Sequence, residues 1–308
     1  MKNINHSISC YTSSIISILK YYNINKYEEE LFYSRKLLEL KCESECDGIY
    51  TDLEKVVNIY LNDCGIEVRD IETCCYSELM DEMKKRGILL LKIDCRHLEY
   101  ADVFKNAFTQ QRKHYVVIKN IMESYIEILD TYIPSTPITS YEGKLIISKE
   151  ELINMEFKYV DVLNLRKRKI TYTALCIEML HEYLATIDGN YKQFISNIND
   201  VRLLNIKGNK ILVYEMATAL SVSGTIASRK IFYTLLKKIK MSEDLLIDMS
   251  KVVSKYNALR LLLLKAYVKF SLENLDDILQ KAHETIEFEC ILYKKIYIWL
   301  TEDKKRNR

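Results

Sequence analysis

Residues His114 to Asp130 read HYVVIKNIMESYIEILD. Two β-branched runs, Tyr115 to Ile118 and Tyr125 to Leu129, flank the polar stretch Lys119 to Ser124, a pattern that predicts a β-hairpin. A histidine opens the first run and an aspartate closes the second. In an antiparallel pair the start of one strand lies beside the end of the other, so the two side chains can meet. Working outward, Gly87 and Asp94 bound another apolar run, Ile88 to Ile93, which reads as a buried strand. Tyr159 to Leu165 reads as one more strand. Ser148-Lys149-Glu150-Glu151 fits a capping box opening a short helix.

Ahead of the strands, 11–22 (YTSSIISILKYY) has helical spacing, with Ile15, Ile16, Ile18, Leu19 and Tyr22 to one side and Thr12, Ser13 and Ser14 as cap candidates. Segments 27–40, 50–63 and 76–86 also read as helices, the last ended by Gly87. From 166 onward only helical periodicity is visible, over 171–186, 190–203, 209–221, 225–240, 243–254, 256–271 and 274–300. The charged run Arg166 to Lys169 reads as a linker. With 7 Gly and 2 Pro in 308 residues, helix breakers are scarce. The expected fold class is therefore α+β over residues 1–165, followed by an all-helical domain over 166–308.

Composition narrows function. Lys plus Arg number 45 and Asp plus Glu 43, a formal charge of +2, so no dense positive surface exists for holding nucleic acid by bulk charge or for coating an anionic membrane. No window reaches the roughly 20 apolar residues of a membrane span. The 9 cysteines, with no secretory signal, point to a reduced, cytoplasmic setting. No phosphate-binding glycine loop and no H-E-x-x-H occurs. Cys42-x-x-x-Cys46 with Cys74-Cys75 offers four thiols, but adjacent cysteines point in different directions, so free thiols are the simpler reading than a zinc site.

Cys10 stands apart because it precedes the first helix. A sulfur there lies near the unpaired N–H groups of the first turn, which favour negative charge and lower a thiol pKa. A thiolate, a histidine that handles its proton and a carboxylate that orients the histidine form the activated-nucleophile arrangement. Cys10, His114 and Asp130 supply those groups in that order.

These residues resemble papain-like cysteine enzymes, and more closely the family of butirosin biosynthesis protein H. In that family a cysteine opens a helix written roughly C-x-x-S-A-L-x-x-L-L-x-Y-x-G; here the stretch is CYTSSIISILKYYN, Cys10 to Asn23, with Asn23 in place of the glycine. The family's V-D-x-x-x-L-P-Y is similar to Ile93-Asp94-Cys95-Arg96-His97-Leu98-Glu99-Tyr100, with Glu99 in place of the proline. Its H-x-V-V-V resembles His114 to Ile118, followed by a second strand ending in Asp130. Its glycine-rich segment is faint, around Cys46 to Gly48, and Gly224 to Arg229 is similar to a glycine-then-arginine segment of its helical region.

The resemblance implies a papain-like domain with its N-terminal helix packed on an antiparallel sheet. It implies Cys10, His114 and Asp130 as catalytic residues and no resident cofactor or metal. The implied reaction is acyl transfer from a thioester on the phosphopantetheine arm of an acyl or peptidyl carrier protein to an amine. That is amide formation in antibiotic or other nonribosomal-peptide-like biosynthesis, as in closthioamide-type assembly. Papain-like enzymes place a glutamine about six residues before the cysteine; here that position is Ile4, leaving Asn5 or Asn3 as the oxyanion candidate. The same residues would serve a cysteine peptidase or amidase, and a non-catalytic binding protein on the same fold is the third reading.

Overall fold

The computed structural model describes residues 9–26, 28–43, 46–72, 75–105, 113–133, 140–166, 171–201, 213–214, 216–221, 224–269 and 275–306. Asn3, Asn5, Cys74, the two prolines, Lys167 to Lys169 of the expected linker and residues 209–212 and 215 of the helix expected over 209–221 lie outside them. The chain forms two compact units, one of residues 1–31 and 58–168, the other of 32–57 and 169–308.

In the first unit, helix α1 (Cys10–Tyr21) starts at Ser9, not at the Thr12 to Ser14 run. Ser9 is extended at φ −154°; its hydroxyl accepts from the Thr12 N–H, and the Thr12 hydroxyl accepts from the Ser9 N–H. This reciprocal pair satisfies two donors of the helix start and makes Cys10 the first helical residue. At the other end Asn23 adopts φ 59°, the left-handed conformation that asparagine tolerates in place of glycine.

Six strands form one antiparallel sheet: β3 (Ile66–Ile71), β4 (Leu89–Asp94), β5 (Lys113–Ile121), β6 (Ile126–Asp130), β7 (Tyr141–Leu145) and β8 (Glu156–Val162), in the order β3-β8-β4-β5-β6-β7. The hairpin expected around 119–124 is β5–β6. A register shift between Ile118 and Asn120 bends it. β5 is buried from His114 through Ile118, as a central strand covered on both faces must be. Helix α3 (Tyr76–Arg86), ended by left-handed Gly87, sets Leu79 and Met83 in a core with Leu89, Leu91, Ile93, Val116, Ile118 and Phe157. Helix α1 packs against β4 and β5 with Ile15, Ile18 and Leu19 fully buried. The Ser148 capping box opens a one-turn helix, α4 (Lys149–Leu152).

The second unit contains the two-stranded ribbon β1 (Lys41–Glu43) and β2 (Cys46–Tyr50) with helices α5 (Tyr172–Val201), α6 (Thr225–Lys238), α7 (Glu243–Lys269) and α8 (Leu275–Arg306). It is thus not all-helical, and residues 32–57 group with it instead of with 1–165, because β1 and β2 pack on α5. The helix expected over 27–40 is only a 3₁₀ turn, Glu28–Phe32. Leu31 and Phe32 at its end, and Tyr33, Leu37, Leu38 and Leu40 beyond it, are all buried. Helix α2 (Leu53–Asp63) falls where 50–63 was expected. The expected breaks near 187–189 and 255 are absent: α5 and α7 each run through.

Candidate active site

Each of the three expected catalytic groups sits at the end of a regular element. Cys10 begins α1, His114 is the second residue of β5 and Asp130 is the last of β6. The register Val117↔Leu129, continued one pair, puts Asp130 opposite Val116 and hence on the His114 face, one diagonal step away. The side chains meet: His114 Nε2 donates to Asp130 Oδ2 at 3.0 Å. The other ring nitrogen, Nδ1, is left for Cys10, whose thiol hydrogen-bonds the His114 side chain and the Tyr115 backbone.

Burial lessens from Asp130 through His114 to Cys10. Asp130 is fully buried and His114 is 4% exposed, while Cys10 keeps partial exposure. The Phe104 ring packs tilted against the imidazole, with centroids 5.0 Å apart. Burial alone would push the Cys10 thiol up, but the charge of His114, a hydrogen bond from its ring and one from the Tyr115 backbone outweigh it, and the thiol titrates below its ordinary value. Burial works against the charged imidazole too, yet the Cys10 charge and the Asp130 hydrogen bond push His114 up to about 10. The two shifts share one cause: sulfur and ring stabilise each other as thiolate and imidazolium.

Tyr100, which closes the stretch opening with Ile93-Asp94, joins the site without a sequence pattern that assigns it a role. Its hydroxyl donates to Asp130 Oδ2 at 2.5 Å, the same oxygen that takes His114. Its ring stacks on Tyr141 at 3.9 Å and 5° and meets Phe104 edge-on. The Tyr132 N–H binds Asp130 Oδ1 at 2.9 Å. Helix α1 is held to both strands: Ser14 Oγ donates to the Tyr115 carbonyl and Ser13 Oγ to the Thr131 carbonyl. Each tie falls on the residue that follows His114 or Asp130. No local pattern marks such contacts, which join residues 30 to 118 positions apart.

Among the described residues no group of three or more His, Cys, Asp or Glu is arranged to hold a metal ion. Among them also, no helix is long and apolar enough to cross a membrane. Asn5, the oxyanion candidate, lies outside the described residues. Compared with models of known protein families and with curated proteins, the sequence matches none.

Proposed function

We propose that the protein is a cysteine-dependent acyltransferase that forms an amide from a carrier-bound thioester and an amine. One observation carries the reading: the thiol of a half-buried cysteine held below its ordinary pKa by a buried histidine, itself held by a buried aspartate. The thiolate is the form of a cysteine that attacks acyl carbon. The choice of a thioester donor on a phosphopantetheine arm rests on the resemblance of Cys10–Asn23, Ile93–Tyr100 and His114–Ile118 to the butirosin biosynthesis protein H family.

Cys10 sulfur attacks the acyl carbonyl, and the carrier thiol leaves with the proton of His114. The exchange of one thioester for another is close to balanced in energy. Neutral His114 then takes a proton from the incoming amine, the amine attacks acyl-Cys10, and Cys10 leaves as thiolate beside a recharged imidazolium. The N–H of Cys10, at the first helical position, has no acceptor within the helix and is available to the developing oxyanion.

Incubation with acyl-loaded carrier protein followed by intact-mass measurement tests the proposal. It expects an acyl adduct on Cys10, discharged as amide when an amine is added and abolished by Cys10→Ala. Amide formation undiminished by Cys10→Ala overturns it. Cleavage of peptides by Cys10 with no use of thioesters reassigns the same triad to a hydrolase.

A further inference from the structure

Among the described residues Asp130 receives three donors, in two unequal shares. Among the described residues, the Tyr132 N–H is the donor to Oδ1, at 2.9 Å. Oδ2 takes both the His114 ring and the Tyr100 hydroxyl, at 3.0 and 2.5 Å. A carboxylate oxygen that accepts a second donor concentrates less charge on the first, so the tyrosine competes with the histidine for the same lone-pair density. The two donors also reach the oxygen from separate parts of the unit: His114 from strand β5, and Tyr100 from the turn between β4 and β5, where Tyr141 and Phe104 fix its ring.

We propose that Tyr100 is a positioning residue of the site, whose hydroxyl shares Asp130 Oδ2 with His114 and thereby limits how firmly the carboxylate holds the imidazole proton. This rests on the reading of His114 as the proton-transfer group of the reaction. An imidazolium gripped too firmly by Asp130 cannot release its proton to a departing carrier thiol. One left ungripped cannot keep Cys10 ionised. Tyr100 sets the balance between those two needs. It stays a donor throughout the working range, because burial and the Asp130 charge both push its own pKa up. The titratable groups facing His114 are Cys10 from α1 and Asp130 from β6; those facing Tyr100 are Asp130, Cys95 and Tyr141. The Phe104 ring beside both is apolar.

The test is the titration of His114 in the full chain, followed by NMR of isotope-labelled histidine, with the signal assigned by its loss in His114→Ala. Tyr100→Phe keeps the ring that stacks on Tyr141 and removes only the hydroxyl. With Oδ1 still held by Tyr132, the freed Oδ2 gives its full charge to His114. The midpoint of proton loss is expected to rise by about one pH unit, the size of one hydrogen bond to a charged acceptor. In an Asp130→Asn background the same substitution should move it by less than a third of that. A midpoint that stays or falls in Tyr100→Phe, or an equal rise with Asp130→Asn, overturns the proposal. Tyr100→Leu, which removes ring and hydroxyl together, must raise the midpoint as well; a rise in Tyr100→Phe alone would place the effect in the ring stack and also overturn it. These readings need no substrate. A failure of the acyl-transfer assignment would show as amide formation by Cys10→Ala and leave the titration untouched.

Discussion

The Ser14 hydroxyl donates to the carbonyl oxygen of Tyr115 at 3.2 Å, fastening the helix that carries Cys10 to the residue that follows His114. Ser13 makes the matching tie to Thr131, with its hydroxyl 3.0 Å from the carbonyl and 2.6 Å from the side-chain oxygen. Neither serine reaches the sulfur or the ring in these bonds, so both act on where the helix sits against the two strands. Ser14 is fully buried and leaves an unfilled acceptor position when truncated. Ser14→Ala should therefore cost about 1 kcal/mol of stability, or a Tm lower by about 2–4 °C. Alkylation of Cys10 at pH 7 should slow by about fivefold as sulfur and imidazole lose register. Ser13→Ala should act in the same direction. Thermal melts together with peptide-resolved alkylation rates check both, and an unchanged Cys10 rate in both variants would remove the serines from the site.

The coupled shifts of Cys10 and His114 fix the form of a pH profile. With the thiol lowered, thiolate appears on the acid side of the ordinary thiol value of about 8.5. With His114 raised to about 10, the imidazolium persists until that pH. Between the two the site is an ion pair, and above the second step it is thiolate beside neutral imidazole. Iodoacetamide modification of Cys10 should accordingly set in on the acid side of that ordinary value and rise again near pH 10. Buried Cys176, whose thiol burial pushes up to about 12, should stay unmodified throughout. In His114→Ala the partner charge is gone, burial is the leading influence left, and thiolate formation should move above its position in the wild type. A wild-type profile with one step near ~8.5 would contradict the ion pair.

What the sequence revealed follows the range of the interactions involved. The His114 to Asp130 hairpin was legible because alternating β-branched runs and their ends are local features, and antiparallel pairing then brings the ends together. Gly87 and the Ser148 box were legible for the same reason. The cap of α1 was not: Ser9, Thr12, Ser13 and Ser14 are all competent caps, and only the extended backbone of Ser9 selects it. Strands β3 and β7 went unread because they are the edges of the sheet. Glu67, Arg69 and Asp70 in one, and Glu142 and Lys144 in the other, break up the apolar pattern. The break expected near Gly189 fails because a glycine costs a helix only about 1 kcal/mol. Buried Leu180, Tyr183, Ile187 and Phe194 on either side outweigh it. Tyr100 is the extreme case, since its partner is 30 residues away and nothing nearby in sequence requires a hydroxyl there.

Gly65 links α2 to β3 at φ +75°, and a Cβ placed on it would stand 1.9 Å from the Asn164 carbonyl oxygen. The close approach has a purpose: the Leu163 and Asn164 N–H groups both donate to the Gly65 carbonyl, and the Arg166 N–H donates to that of Cys64. Backbone, not a flexible side chain, blocks the space. Gly65→Ala should destabilise by about 2–4 kcal/mol, combining left-handed strain with displacement of the chain after β8. Denaturant unfolding measures this; a loss below about 1 kcal/mol would mean the crossing opens freely.

In the second unit, Arg229 and Glu289 are both fully buried and joined by Nε to Oε1 at 2.8 Å and Nη2 to Oε2 at 3.3 Å. Arg229 Nη1 also donates to the hydroxyls of Ser228 and Thr51, and the Tyr183 and Tyr256 hydroxyls donate to Glu289. Helices α5, α6, α7 and α8 and the residue after β2 thus converge on a single ion pair. Such a pair costs solvation to bury, so its net contribution over an apolar substitute is small, but removing one partner strands the other. Arg229→Met should cost about 3–5 kcal/mol, because Glu289 is left charged in the core or must take up a proton. Carrying no charge at either position, Arg229→Met with Glu289→Leu should recover much of that loss. In the double variant the two tyrosine hydroxyls lose their carboxylate acceptor and Thr51 keeps only Ser228, which leaves the recovery incomplete. Arg229→Lys should not match it, since an ammonium cannot address both carboxylate oxygens and both hydroxyls from one plane. Urea unfolding of the three variants decides the matter: a double variant no more stable than Arg229→Met would mean that the hydrogen-bonded hydroxyls, and not the paired charges, hold the helices together.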